Sequence, residues 1–151
     1  MTIRQLTSED VITYKKELIL LLRFCYDGNY EIPITDEFCA KKIDGLYRYL
    51  EEGRAYLFGA FNEKNELLGF VWGHPCIVLT ERRCHNAYGA VMPEARGQGI
   101  HGKLMHALEQ YAKALGFKYV ELAATVENPK VIGHYKKRGY VEERVYLKKE
   151  V

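Results

Sequence analysis

The stretch "VMPEARGQGIHGKLM", residues 91–105, decides between two folds because it contains two glycine signatures at once. Gly97, Gly99 and Gly102 match G-x-G-x-x-G, the fingerprint of dinucleotide-binding folds. Arg96 and Gly99 match the first part of a second signature, R-x-x-G-x-G/A. The two signatures belong to different arrangements of strands and helices, so the elements around the loop distinguish them.

Apolar periodicity and turn residues predict a β-α-α-β-β-β-α-β-α-β order for the whole chain. Ser8 is the predicted cap of the first helix, and Thr35 or Asp36 of the second. The predicted elements are strand 3–6, helix 8–26, helix 36–53, strands 55–61, 66–74 and 85–91, helix 100–115, strand 118–126, helix 129–139, and one or two strands in 140–150. The pattern therefore predicts a mixed α/β domain with an antiparallel middle.

This order of elements argues against a dinucleotide site. That fingerprint lies at the first strand-to-helix turn of repeated parallel β-α-β units. Here the glycines follow an antiparallel meander, and residues 93–95 separate the preceding strand from Gly97. Glu121 lies about 20 residues further on, where an acidic ribose ligand is sought, but inside its predicted strand. We interpret that spacing as a coincidence.

Composition argues against nucleic-acid-binding, membrane-spanning and metal-binding proteins. The 22 basic and 20 acidic residues nearly balance, so no basic face for nucleic acid is expected. The longest apolar run, residues 18–22, is too short to span a membrane, and no signal peptide is recognisable. The cysteines form no C-x-x-C pair and the histidines are scattered, so no metal site is expected. We expect one cytoplasmic domain over residues 1–151.

The loop before the predicted helix at residue 100 is suited to phosphate. A helix N-terminus presents unpaired N–H groups and the positive end of the helix dipole. Gly97 and Gly99 let a ligand approach the backbone, and Arg96 adds a cation. A plain glycine turn explains the loop equally well when it is considered alone.

A second motif, "NPKVIGHYKKRGY" at residues 128–140, removes that ambiguity. Together with the loop it resembles the GNAT superfamily of acetyl-CoA-dependent N-acetyltransferases, in which Asn is followed after seven residues by Tyr and after eleven by Gly and an aromatic residue. Asn128, Tyr135, Gly139 and Tyr140 have these spacings. The resemblance implies an α/β (α+β) fold with a mixed, largely antiparallel central sheet of six to seven strands and about four helices.

The resemblance also implies roles for individual residues in binding acetyl-CoA. The backbone of Val91 and Met92 would pair with the pantetheine arm, Asn128 would bind it or fix the following loop, and the Tyr135 hydroxyl would face the sulfur. The pyrophosphate would be held by consecutive backbone N–H groups of Arg96, Gly97, Gln98, Gly99, Ile100, His101 and Gly102. His101 departs from the motif, because Gly or Ala is usual there.

The implied reaction is direct attack of a primary amine on the thioester in a ternary complex. A backbone N–H near Val91 or Met92 would stabilise the oxyanion. Tyr135 is the predicted acid for the departing thiolate. His85 on the preceding strand is the predicted base, since histidine side chains exchange protons near neutral pH. The alternatives for the base are a water chain or one of Glu81, Glu121 and Glu127.

The resemblance implies that the acceptor lies between the first two helices and the strand ends, where the segment "YDGNYEIPITDE", residues 26–37, is available to line it. Its aromatic and acidic side chains would suit a cationic amine, or they are ordinary loop and cap residues: Tyr26, Asp27, Tyr30, Glu31, Asp36 and Glu37. A small-molecule amine is preferred as the acceptor. The alternatives are a protein or peptide amine, or a catalytically inactive acyl-CoA-binding sensor module. An exposed last strand would offer a route to a homodimer.

Overall fold

The computed structural model describes residues 1–151, and its strands form one sheet in chain order. The strands are β1 (Thr2–Gln5), β2 (Tyr56–Phe61), β3 (Leu67–Val78), β4 (Glu81–Val91) and β5 (Tyr119–Leu122). The helices are α1 (Ser8–Thr13), α2 (Lys15–Asp27), α3 (Asp36–Glu51), α4 (Ile100–Ala114) and α5 (Pro129–Lys137). The first three strand pairs are antiparallel, and β4–β5 is parallel.

The predicted class, a mixed and largely antiparallel sheet flanked by helices, is confirmed, with five strands instead of six to seven. The difference lies at the C-terminus, where residues 141–151 form no strand and make no backbone hydrogen bond. Six of the nine residues 142–150 are charged, and the apolar side chains among them are exposed, so the segment buries no apolar face on the sheet. Side-chain ion pairs hold the segment instead, through Glu143 to Arg83 and Glu142 to Lys136.

The first predicted helix is two helices, and its cap is one residue earlier than expected. Thr7 Oγ1 accepts from the Asp10 backbone N–H, and the Asp10 carboxylate accepts from the Thr7 N–H, which together form a capping box. Ser8 therefore begins α1 and donates its hydroxyl proton to Glu51. Tyr14, with φ −105° and ψ 23°, separates α1 from α2. Thr35 is the N-cap of α3, so of the two predicted caps, Thr35 and Asp36, the first is correct.

Helices cover both faces of the sheet. Leu108 of α4 packs so closely on β3 that a Cβ at Gly73 would lie 2.9 Å from its Cδ1 atom. On the opposite face, the Tyr26 ring of α2 lies 5.5 Å from that of Tyr88 on β4. The core between these layers is fully buried and almost entirely aliphatic or aromatic, including Leu18, Leu21, Leu22, Ile43, Leu46, Leu57, Phe70, Val71, Leu104 and Met105.

An irregularity in β4 opens the sheet. Trp72 pairs with Tyr88 but Gly73 pairs with Asn86, so Ala87 is an extra residue and forms a bulge. The parallel partner β5 ends opposite Asn86. Residues 87–91 of β4 therefore have no strand neighbour on that side, and we call this stretch the open edge.

Candidate active site

The open edge presents backbone groups of Gly89 and Val91. The Met92 N–H donates to the Leu68 carbonyl at 2.8 Å, within the β3 side of the sheet. Because amides along an antiparallel strand alternate in direction, those of Val91 and Gly89 point away from β3. Of the two predicted oxyanion donors, Val91 thus faces the opening and Met92 does not. Gly89 is a third donor with the same orientation as Val91.

Two side chains already contact the open edge. Arg96 Nε donates to the Val91 carbonyl oxygen at 3.1 Å, and its guanidinium lies 5.6 Å from the centroid of the Phe24 ring. Cys25 of α2 faces the Gly89 N–H; burial raises the pKa of this thiol and the N–H partly offsets the rise. Arg96, the cation predicted to bind a phosphate, is therefore hydrogen-bonded to β4.

The glycine loop supplies a run of free donors. Gly97 and Gly99 have φ of +79° and +72°, and nothing lies within 4 Å of a Cβ built on either. No side chain caps α4, and the N–H groups of residues 97–102 have no hydrogen-bond partner in the chain. Six consecutive free donors at the positive end of a helix form an anion-binding surface.

A cavity of about 710 Å³ adjoins these donors. Its lining contains basic and imidazole side chains and no carboxylate: Ile3, Gly99, Gly102, Lys103, His106, Ala107, His134 and Arg138. Arg138 is fixed by Glu109, whose two carboxylate oxygens accept from its Nη2 at 3.2 and 3.1 Å. The donors and the cavity together fit a ligand that carries phosphate.

Helix α5 begins at the second motif. Asn128 is its N-cap, and the Asn128 Oδ1 accepts from the Val131 N–H at 3.3 Å, so this residue fixes the start of the helix. Tyr135 lies two residues before the end of α5, and its Oη is 3.4 Å from His101 Nε2. Burial raises the pKa of Tyr135 to about 12, so its hydroxyl keeps its proton at neutral pH.

His101 and Gly89 form a contact that the sequence did not indicate. The His101 ring lies over β4, and a Cβ added at Gly89 would be 3.2 Å from its Nε2 atom. Burial, and then the charges of His134 and Arg138, lower the pKa of His101 to about 4. The bulky residue of the loop motif thus faces the strand and Tyr135, and it is uncharged at neutral pH.

His85 lies in a separate polar cluster. Its Nδ1 is 3.0 Å from Glu121 Oε1, while Arg83 Nη1 donates to Glu121 Oε2 at 3.1 Å. Burial raises the pKa of Glu121, but hydrogen bonds from His85 and Arg83 outweigh it and the net shift is downward. His85 shares no hydrogen bond with Tyr135, so the structure does not bring the predicted acid and base into contact.

The other predicted bases differ in environment. Glu81 accepts from Arg83 Nη2 at 2.8 Å, and Glu127 is exposed. β5 pairs His85 directly with Glu121, so this carboxylate lies in the polar cluster of His85.

Aromatic side chains line the α2 face of β4. Tyr26 Oη donates to Tyr88 Oη at 3.0 Å, and Lys42 Nζ lies 3.3 Å from Tyr88 Oη. Trp72 and Tyr30 extend the group, with ring centroids 5.0 Å from Tyr88 and 6.0 Å from Tyr26 respectively. The acidic residues of the neighbouring segment are largely engaged by other side chains: Asp27 and Asp36 by Arg23, and Glu37 by Lys41.

A family model described as "Acetyltransferase (GNAT) family" matches residues 16–140. The chain belongs to this family, and it is a GNAT acetyltransferase. No set of three or more His, Cys, Asp or Glu side chains is arranged to hold a metal ion. No helix has the length and apolar character needed to cross a membrane.

Solved structures of acetyltransferases share the fold over nearly the whole chain. A Pyrococcus furiosus protein assigned as an acetyl transferase is 27% identical with a TM-score of 0.77, covering 99% of this chain and 100% of its own. An aminoglycoside N-acetyltransferase in complex with CoA is 17% identical with a TM-score of 0.75, covering 99% and 93%. The ribosomal-protein-alanine N-acetyltransferase of Brucella melitensis is 19% identical with a TM-score of 0.70, covering 100% of both chains.

Proposed function

We propose that this acetyltransferase moves an acetyl group from acetyl-CoA to a primary amine of a small molecule. The observation that carries the proposal is the run of six free N–H groups at residues 97–102, next to the open edge of β4. Tyr135 lies close to that edge, because it approaches His101 and His101 lies against Gly89. A phosphate-binding surface, an unpaired strand and a protonated phenol therefore adjoin one another.

The residues present fit acetyl-CoA. The N–H groups of residues 97–102 would hold the pyrophosphate, and the cationic cavity beside them suits its further phosphate. The open edge at residues 87–91 offers backbone groups with which an extended amide-bearing arm would pair as an added strand, although the Val91 carbonyl already accepts from Arg96 Nε. Acetyl-CoA supplies the acetyl group as a thioester.

The chain's own groups would then manage charge and protons. The amide N–H of Val91 would stabilise negative charge at the carbonyl oxygen as a preorganised donor, whereas that of Gly89 already faces Cys25 Sγ. Tyr135 Oη holds a proton for the departing sulfur, whose ordinary thiol pKa of about 8.5 makes it a fair leaving group. His85, with Nδ1 against the Glu121 carboxylate, is oriented so that Nε2 can accept the proton of the amine.

The acceptor would bind along the aromatic α2 face of β4. The half-buried ring of Tyr88 and the exposed ring of Tyr30 offer apolar contact area for the body of an amine, and the buried rings of Tyr26 and Trp72 pack beneath them. The acidic side chains in the segment 26–37 attract a cationic acceptor less than their number suggests. Several of them are already in solvent-screened surface ion pairs. This surface favours an acceptor with an apolar or aromatic body over a small, highly charged polyamine.

A thermal-shift series with acetyl-CoA, CoA, NAD and NADP tests the cofactor. At 100 times its dissociation constant a ligand adds about 2.7 kcal/mol, which is roughly 5–11 °C for a chain of this size. We expect shifts with both CoA forms and none with the dinucleotides. The absence of a CoA shift at saturation would contradict the proposal.

An acceptor panel then tests the reaction by thiol release from acetyl-CoA. The panel should hold aryl-alkyl amines, amino acids, aminoglycosides, linear polyamines and short peptides with free N-termini. Turnover of a small amine supports the proposal. Turnover of peptides alone would make the protein a peptide N-acetyltransferase, and CoA binding without turnover of any amine would favour an inactive binding module.

A further inference from the structure

We propose that His101 is a positioning residue for Tyr135: its Nε2–H donates to Tyr135 Oη and leaves the phenol's own proton free for the departing sulfur. The proposal rests on the function proposed above, in which Tyr135 is the acid. That function uses the backbone N–H of His101 but not its side chain, which lies where the family's loop motif ordinarily has a small residue.

The geometry that supports this role involves three elements. His101 is in the first turn of α4, Tyr135 is on α5, and Gly89 is on the open edge of β4. Nε2 and Oη are 3.4 Å apart, and the two rings meet edge-on with centroids 5.9 Å apart. Catalytic hydrogen bonds are often this long before substrate binds.

Gly89 provides the space for the imidazole. A Cβ at that position would approach His101 Nε2 to 3.2 Å and Val71 Cγ1 to 3.2 Å, tighter than side chains normally tolerate. The strand therefore lacks a side chain where the loop has an unusually large one. The absence of a side chain at Gly89 leaves room for the imidazole, and the ring is directed at the Tyr135 hydroxyl.

The charge state of His101 follows from its neighbours. On α5 it faces His134, with ring centroids 6.1 Å apart, as well as Arg138 and Tyr135. On β4 it lies against Gly89, which carries no charged side chain. Burial is the largest cause of the lowered His101 pKa, and His134 and Arg138, the latter paired with Glu109, lower it further, so the imidazole is neutral and carries one proton.

One proton on the imidazole allows two arrangements. If Tyr135 donates to a bare Nε2, the phenol proton is held against His101. The sulfur then faces a lone pair of the phenol oxygen and not its proton. If Nε2–H donates to Oη, the phenol proton points elsewhere, and the same hydrogen bond stabilises the phenolate left after transfer. Only the second arrangement lets Tyr135 act as an acid without breaking a hydrogen bond first.

A double-mutant cycle between His101 and Tyr135, measured on kcat, tests whether the two side chains act together. We expect His101→Leu to lower kcat roughly 3–10-fold, the size of one neutral hydrogen bond, with little change in the KM for acetyl-CoA. His101→Gln keeps an N–H donor and should recover part of the loss. In a Tyr135→Phe background, His101→Leu should cause no further fall in kcat. Lys113→Ala, exposed near the other end of α4, is the control.

The outcomes separate this proposal from the proposed function. If Tyr135→Phe keeps the kcat of the wild type, the assignment of the acid fails and the role of His101 fails with it. If Tyr135→Phe loses turnover but His101→Leu lowers kcat equally in both backgrounds, only the positioning role is overturned.

A measurement without turnover tests the tautomer directly. In protein labelled with ¹⁵N-histidine, the long-range imidazole couplings of His101 identify which ring nitrogen carries the proton, and His101→Gln assigns its signal among the 5 histidines. We expect the Nε2–H tautomer in the free protein and in its CoA complex. A proton on Nδ1 with a bare Nε2 would overturn the proposal.

Discussion

Arg96 Nε donates a 3.1 Å hydrogen bond to the carbonyl oxygen of Val91, so the cation of the glycine loop fastens the end of the strand that the loop follows. The guanidinium also lies over the Phe24 ring of α2, at 5.6 Å from its centroid. One side chain thereby joins the open edge, the loop and α2. The loop's affinity for phosphate then depends on its free N–H groups more than on this side chain.

Replacing Arg96 with Met should weaken cofactor binding without stopping the chemistry. The variant keeps much of the apolar stem but loses the charge-assisted bond to Val91, so the end of β4 is less well fixed when the cofactor pairs with it. We expect the KM for acetyl-CoA to rise roughly 3–10-fold with kcat nearly unchanged. Arg144→Met, in the exposed C-terminal segment, is the control. An unchanged KM would mean that the clamp has no part in binding.

Replacing Tyr135 with Phe should remove the acid and keep the cofactor site. The ring and its contacts with His134 and Tyr140 remain, whereas the proton donor is lost. We expect kcat to fall roughly 10²-fold or more, as for loss of a general acid, while the CoA thermal shift persists. Tyr146→Phe, at a side chain that is 90% exposed, controls for loss of a hydroxyl elsewhere. Equal turnover in both variants would exclude Tyr135 as the acid.

The fold was predictable because its signals are local. The glycine loop at residues 96–102 lies within one strand-loop-helix unit, and the second motif at residues 128–140 lies within another. Apolar periodicity indicated the core faces of the helices. The C-terminal strands were mispredicted from a few apolar residues, such as Val145 and Leu147, among charged ones. In the structure these two side chains are exposed, at 74% and 91%. A short strand depends on its neighbours, which a local pattern does not contain.

The site was predictable only in part, for a different reason. The motif predicted that Asn128 binds the pantetheine arm or fixes the following loop, and the structure adds that Asn128 caps α5. The contact between Gly89 and His101 depends on how α4 crosses β4, and no spacing along the chain encodes that crossing. The pairing of His85 with Glu121 likewise required the parallel register of β4 and β5.

Glu121 should matter to catalysis through His85. Because its lowered pKa keeps it ionised at neutral pH, it accepts from His85 Nδ1 and leaves Nε2 as the proton acceptor. We expect Glu121→Gln to lower kcat about 10-fold and His85→Gln about 10²-fold at pH 7. Glu127→Gln tests the exposed alternative and should have no effect. If His85→Gln is as active as the wild type, the base is a water chain or another group.

Asp10 should stabilise the N-terminal capping box in a pH-dependent way. Its carboxylate accepts from Arg4 at 2.9 and 2.8 Å and from the Thr7 N–H at 2.8 Å. These bonds, led by that of Arg4, lower the pKa of Asp10 to about 2 from 3.8. A lowered carboxyl pKa means that the stabilisation is complete above about pH 4 and is lost as the pH falls towards 2.

Asp10→Asn should therefore cost about 1–2 kcal/mol at pH 7, after allowance for the partial exposure of Arg4, or roughly 2–8 °C in Tm. Urea unfolding at a series of pH values measures the difference between variant and wild type, which should shrink between pH 4 and pH 2. Asp44→Asn removes an exposed pair with Lys15 and should change the free energy of unfolding by less than about 0.5 kcal/mol. A difference that is constant with pH would mean that Asp10 acts through packing and not through its charge.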